Sequence, residues 1–197
     1  MLSRNRLALL LLSALLFIAV WGLRPTAAST AAVQITPLGS HEGEFCARDR
    51  ALIFEDPSGL RILYDAGRTV AGVEDPRLGD IDVVLISHVH GDHLGDRRIA
   101  AVNEGTCAQP QTNIGTTPNS NSVDIAVGKG ARIIVGSEMS SFLANKVGRL
   151  GGDPESVQLV RFGASRAVDG VTFTTVPAVH SNGLNGAFIE GEQPLDD

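Results

Sequence analysis

The sequence predicts an α/β or α+β layered domain. Two observations carry this: seven short aliphatic or β-branched segments punctuated by Gly, Pro, Asp or Asn, and one apolar stripe of helical period between residues 139 and 150. Strands mixed with amphipathic helices bury their apolar faces in layers around a shared core. About 165 residues follow from Val33 onward, enough for a single domain with a sizeable interior.

The strand segments are Val33–Leu38, Ala51–Glu55, Arg61–Tyr64, Asp82–Ser87, Arg132–Val135, Val157–Arg161 and Val171–Val176. Each is rich in residues that fit a pleated surface and is bounded by turn formers. The second and third read as a hairpin, with Asp56-Pro57-Ser58-Gly59 as the turn. Ile81-Asp82-Val83-Val84-Leu85-Ile86 is nearly continuous in its apolar character, which suits a strand buried on both faces.

One helix is marked at both ends. Ser137 can cap it and Glu138 suits its first turn. Met139, Phe142, Leu143, Val147 and Leu150 then form one apolar face, and Gly151-Gly152-Asp153-Pro154 stops it. A second helix is predicted from about Asp96 to Val102. Between Asn103 and Ser122 the chain is polar and rich in Thr, Asn, Gly, Gln and Pro. That is long for a connection, and it reads equally as a loop over a site or a surface insertion.

The N-terminus is not expected to belong to the fold. Arg4 and Arg6 precede an uncharged apolar run from Leu7 to Leu23, followed by Thr26-Ala27-Ala28 and Thr30-Ala31-Ala32. This is a secretory signal pattern over residues 1–28, with an uncleaved membrane anchor as the alternative. Either way, residues 33–197 are exported, to a periplasmic or extracellular space. Loss of residues 1–28 removes three arginines and no acid, taking the net charge from −6 to about −9. So acidic a domain lacks the basic patch that binds phosphate backbones, so no nucleic-acid partner is expected. Contact with a membrane would come only through an uncleaved N-terminal segment.

Cys46 and Cys107 are the two cysteines. An oxidising compartment favours their pairing, which would close a loop of about 61 residues for roughly 4 kcal/mol in the chain-entropy model. Two unrelated thiols are the alternative. Neither cysteine has a metal-ligand spacing.

The densest chemistry lies in Ser87-His88-Val89-His90-Gly91-Asp92-His93-Leu94-Gly95-Asp96, directly after the apolar strand. Three of the five histidines fall within six residues, with a carboxylate between the second and third. Imidazole nitrogen and carboxylate oxygen are the ordinary donors of a zinc site. In extended chain His88 and His90 share one side, so both can reach one metal. Asp92 and His93 lie beyond Gly91, where the backbone can turn, and suit a second metal. His180, after the strand Val171–Val176, is the remaining candidate for the first. His41 reads better as an exposed loop histidine than as part of a site mouth. Ser181 and Asn182 could hydrogen-bond a substrate beside His180.

This constellation resembles the metallo-β-lactamase superfamily of metal-dependent hydrolases, whose signature is H-x-H-x-D-H at a strand end with a further histidine after a later strand. Leu63-Tyr64-Asp65-Ala66-Gly67 resembles the family's strand ending in Asp-x-Gly. The resemblance covers roughly Val33 to Glu190. It implies a four-layer αββα sandwich with metals at the rim between its sheets. It also implies one or two Zn²⁺, with Mn or Fe as alternatives, acting on a small-molecule ester, lactone, β-lactam or phosphodiester. His88, His90 and His180 would hold the first metal, and Asp92 and His93 the second. Asp92 would also orient the attacking water, and Asp65 would accept a ligand histidine's ring N–H. The family pattern asks for two more ligands after His180, and no histidine follows it. The expectation is therefore a sandwich whose second half is incomplete, with a complete first-metal site and a partial second one. Di-iron oxidoreductases of the same superfamily carry Glu at the position of His90, which argues against that activity. A non-catalytic exported binding protein stays as the reading from another class.

Overall fold

The computed structural model describes residues 32–38, 40–41, 44–45, 50–136 and 139–178, with the side chains of residues 40, 41, 44 and 45 excepted. Residues 1–28, expected to be a signal, lie outside these residues, as do Cys46, the expected cap Ser137, His180, Ser181 and Asn182. The described elements fall in the unit Val33–Asp197.

In chain order the first strands are β1 (Gln34–Pro37), β2 (Ser40–His41), β3 (Glu44–Phe45), β4 (Leu52–Glu55), β5 (Arg61–Tyr64) and β6 (Val83–Ile86). Helix α1 (Gly91–Leu94), strands β7 (Arg97–Arg98) and β8 (Ile114–Gly115) and helix α2 (Asn121–Lys129) follow. The remainder comprises β9 (Arg132–Gly136), α3 (Met139–Arg149), a 3₁₀ turn at Pro154–Ser156, β10 (Val157–Val160), β11 (Ser165–Val168) and β12 (Val171–Thr174).

Six strands form one mixed sheet in the order β1-β4-β5-β6-β9-β10. The pairs β1/β4 and β4/β5 are antiparallel, whereas β5/β6, β6/β9 and β9/β10 are parallel. The β4–β5 hairpin turns where the sequence predicts: Asp56 Oδ1 accepts the Ser58 N–H at 2.7 Å, and Gly59 adopts φ +93°. Strand β6 is central. Val83, Val84 and Ile86 are fully buried, which explains why its sequence is apolar on both faces.

The two faces of the sheet bury different partners. On one, Ile53, Leu63, Val84, Ile133 and Val135 pack against Val123, Ile125 and Ala126 of α2 and Leu143 and Val147 of α3. On the other, Ile62, Val83, Ile134 and Val160 pack against Val168 and Phe173 of the β11–β12 hairpin. The molecule is thus a mixed α+β fold, with helices over one face of the sheet and a two-stranded hairpin over the other.

Several expectations are corrected. No helix runs from Asp96 to Val102. The helix is the single turn α1, just upstream, which Gly95 ends at φ +76°. Arg97 and Arg98 instead pair with β8, and the Glu104 carboxylate accepts the N–H groups of Ala100 and Ala101. The polar stretch beginning at Asn103 is not loop to its end, because α2 starts at Asn121 with Ser120 as its cap, Ser120 Oγ accepting the Val123 N–H at 3.1 Å. In α3, Phe142 is not part of the buried face but 46% exposed, with Lys146 Nζ 4.7 Å above its ring. The histidine at position 41 lies in a two-residue strand facing Glu44 rather than in a loop. Among the described residues, no helix is long and apolar enough to cross a membrane.

Candidate metal centre

Parallel pairing of Tyr64 with Leu85 brings the exits of β5 and β6 side by side. Asp65 leaves β5 with φ +41°, a left-handed conformation that Asp tolerates better than most residues. Its N–H donates to the Leu85 carbonyl at 3.0 Å, so the residue stays tied to β6 while its side chain meets Ser87 and His93. The Asp65 side chain has no solvent exposure. One oxygen, Oδ1, accepts the Ser87 N–H at 2.9 Å. The other, Oδ2, lies 2.6 Å from Ser87 Oγ and 2.6 Å from His93 Nδ1. A buried carboxylate persists when donors satisfy it on both oxygens, and here they do.

After β6 the chain bends at Val89 and His90 and then closes into α1. The His93 and Leu94 N–H groups donate to the His90 carbonyl, and the Gly95 N–H donates to that of Gly91. This turn puts the side chains of Asp92 and His93 together, with His93 Nε2 3.5 Å from Asp92 Oδ2. The ring of His88 lies between those of His90 and His93, with centroids 4.6 Å from the first and 3.8 Å from the second. His88, Asp92 and His93 are half-buried and His90 is exposed, so the group opens to solvent.

Helix α2 clamps the same segment through hydrogen bonds to its backbone. Ser122 Oγ donates to the His93 carbonyl at 3.0 Å, which also accepts the Gly67 N–H at 3.0 Å. The Asn121 N–H donates to the Gly95 carbonyl at 2.7 Å, and Asn121 Nδ2 donates to the carbonyls of Gly67 and Val70 at 3.1 and 2.9 Å. Ser120, Asn121 and Ser122 are all buried. The sequence reading missed this clamp. Its only signals were the Ser120 cap, the apolar Val123, Ile125 and Ala126, and the Gly130 stop, all set against a polar stretch.

Charged neighbours shape the rim. Arg50 Nε lies 3.8 Å from Asp92 Oδ2. Arg68 Nε donates to Asp96 Oδ1 at 2.8 Å and holds that carboxyl below its usual range. Burial, and then the charge of Asp65, push the Tyr64 phenol upward. A cleft of about 510 Å³ opens beside His88 at the carboxyl ends of β6 and β9. Leu85, Ile134, Phe162 and Val176 give it apolar walls, and Tyr64, Ser87, Thr174 and Thr175 join His88 as polar groups along it. In open α/β sheets this end of the parallel strands is where ligands bind.

Of the donors that the sequence singles out, His88, His90, Asp92 and His93 lie near one another with Asp65 behind His93, while His180 lies outside the described residues. Among the described residues no three His, Cys, Asp or Glu side chains are grouped to hold a metal ion. The donor chemistry still fits one. Asp92 and His93 meet as a carboxylate–imidazole pair, and Asp65 ties the far nitrogen of His93 as a second carboxylate does behind many metal-ligating imidazoles. Cys107 is in a disulfide, while Cys46 lies outside the described residues. No protein-family model and no curated protein sequence matches the chain.

Proposed function

We propose that the chain is an exported metal-dependent hydrolase of the metallo-β-lactamase type, with zinc as its metal and a small-molecule ester, lactone, β-lactam or phosphodiester as its substrate. The observation that carries the proposal is the Asp65–His93–Asp92 arrangement: a buried carboxylate 2.6 Å from His93 Nδ1, and Asp92 3.5 Å from Nε2 of the same ring. A histidine held this way from behind presents one nitrogen beside an anionic oxygen. The helix layer, six-stranded sheet and β11–β12 hairpin are compatible with the first layers of a four-layer αββα sandwich.

His88 and His90 would hold a first metal together with His180, and Asp92 and His93 a second. Bound zinc supplies Lewis acidity, which makes water nucleophilic near neutral pH and polarises the scissile bond. The chain's own residues do the rest. Asp92 accepts a hydrogen bond from the attacking water and aims it. Asp65 fixes the ring of His93. The cleft beside His88 excludes water from the apolar part of the substrate through Leu85, Ile134 and Phe162. Hard oxygen beside imidazole also accommodates Mn or Fe, but a nitrogen-rich site in an exported protein favours zinc.

The test is zinc content by elemental analysis, followed by turnover of chromogenic ester, lactone, β-lactam and phosphodiester substrates. His88→Ala and His180→Ala are expected to lose the tighter-bound zinc. Asp92→Ala is expected to weaken the second site and slow the reaction. Equal zinc content in all three variants and the parent would overturn the ligand assignment. The second reading is a non-catalytic exported binding protein, in which the same donors hold zinc without turnover. A folded chain that retains zinc yet turns over none of these substrates would select it.

A further inference from the structure

Ser87 Oγ stands 2.6 Å from Asp65 Oδ2, 2.9 Å from His93 Nδ1 and 3.2 Å from His88 Nδ1. Three polar atoms thus converge on one hydroxyl, which owns a single proton and two lone pairs. The contact with Asp65 decides where that proton goes. Two oxygens 2.6 Å apart need a hydrogen between them, and an aspartate carboxylate has none to give. The hydroxyl therefore donates to Asp65, and the Ser87 N–H fixes the other carboxylate oxygen at 2.9 Å. Only the lone pairs of Ser87 remain to face the two imidazoles. Each ring must then carry its hydrogen on Nδ1. That of His93 is shared between Asp65 Oδ2 and Ser87 Oγ, and that of His88 points to Ser87 Oγ.

We infer that Ser87 is a positioning residue that extends the buried Asp65 carboxylate to His88, so that one carboxylate and one hydroxyl set both His88 and His93 as Nδ1–H tautomers. The nitrogen carrying the lone pair is then Nε2 in both rings. The hydrogen bond made by one ring nitrogen decides the state of the other, so removing the hydroxyl unties Nδ1 of His88 from Asp65 but leaves His93 on it. The consequence for metal binding rests on the function proposed above. The tautomer assignment does not, and can be read without any metal.

The experiment uses the full chain with ¹⁵N-labelled histidine at pH 8 after dialysis against a chelator. Long-range ¹H–¹⁵N correlation spectra report which ring nitrogen of each histidine carries hydrogen. His88 and His93 are both expected as Nδ1–H. In Ser87→Ala, His88 is expected to change tautomer or become a mixture while His93 does not, and Ser87→Thr is expected to restore His88. Zinc affinity in Ser87→Ala should fall about 10-fold, recovering in Ser87→Thr. Nε2–H at His88 in the unaltered chain overturns the inference, as does an unchanged His88 in Ser87→Ala. Should Ser87→Ala fail to fold, the parent and Ser87→Thr spectra decide by the same criterion. The expected tautomers in a chain that binds no zinc would support this inference and overturn the metal-dependent function.

Discussion

His93 Nδ1 lies 2.6 Å from Oδ2 of Asp65, a carboxylate wholly removed from solvent. The two residues are 28 positions apart and meet because β5 and β6 run parallel with Tyr64 opposite Leu85. The pairing fixes the orientation of a ring that an unrestrained side chain would rotate freely. Asp65→Asn keeps the size and polarity of the side chain but removes the charge, and its amide can offer a donor where an acceptor is needed. Zinc affinity measured by competition with a chromogenic chelator is expected to fall about 10- to 100-fold. An unchanged affinity would mean that the buried carboxylate serves the fold alone.

Asn121 supports the same segment through its backbone. Its Nδ2 donates to two buried carbonyls, those of Gly67 and Val70, from a side chain with no exposure. Asn121→Ala leaves both oxygens short of a donor, and the expected loss is about 2–3 kcal/mol. The urea midpoint should shift with the slope of the transition unchanged. A loss under about 0.5 kcal/mol would show that water replaces the amide.

What the sequence made legible follows the range of each interaction. Strand β6 was readable because a continuous apolar run needs no knowledge of its neighbours. Helix α3 was readable from the spacing of Leu143 and Val147, both buried, although Phe142 on the same predicted face is exposed and Lys146 is buried instead. Lys146 Nζ donates to the Pro118 carbonyl, a partner 28 residues away that no local pattern reveals. Helix α2 escaped for the same reason. Asn121 and Ser122 look like loop residues until the carbonyls of Gly67, Val70 and His93 are placed beside them. The histidine cluster was visible as a motif, but the role of Ser87 was not, since its meaning lies in three distances across two strand ends.

Gly95 closes the turn that holds Asp92 and His93. It adopts φ +76°, and a Cβ there would strike the Gly67 carbonyl oxygen and the Cβ of Asn121. Backbone on one side and a clamped side chain on the other leave little room to yield. Gly95→Ala is expected to destabilise the chain by about 2–4 kcal/mol, combining left-handed strain with overpacking. Gly130 is the control: it has φ +67° but no atom within 4 Å of the same position. Gly130→Ala should therefore lose only about 1 kcal/mol, the conformational part alone. Equal losses at the two sites, compared by thermal melting, would show that the close approach at Gly95 does not matter.

Asp75 and Arg77 give the fold an acid limit. Asp75 Oδ1 accepts the Arg77 N–H at 3.0 Å and its Nε at 2.9 Å, while Oδ2 accepts the Ala71 N–H at 2.9 Å and lies 2.6 Å from Arg77 Nη2. The same guanidinium also donates to the carbonyls of Leu38 and Thr69, tying the end of β1 to the loop after β5. Burial alone would raise the Asp75 pKa, but the hydrogen bonds and charge of Arg77, with the Ala71 N–H, outweigh it and hold the carboxyl below its usual value. A folded-state pKa below the unfolded one means that the charged form favours folding. That contribution is fully present above the unfolded value, about pH 4, and disappears as pH falls through the lower folded value. The urea midpoint of the parent should therefore drop over the interval of acidification that begins at about pH 4. Asp75→Asn should start lower at neutral pH and decline less over that interval. Arg77→Met, which strands the buried carboxylate, is expected to lose about 3 kcal/mol at neutral pH. A parent and an Asp75→Asn chain that lose stability in parallel on acidification would assign the acid limit to other carboxylates.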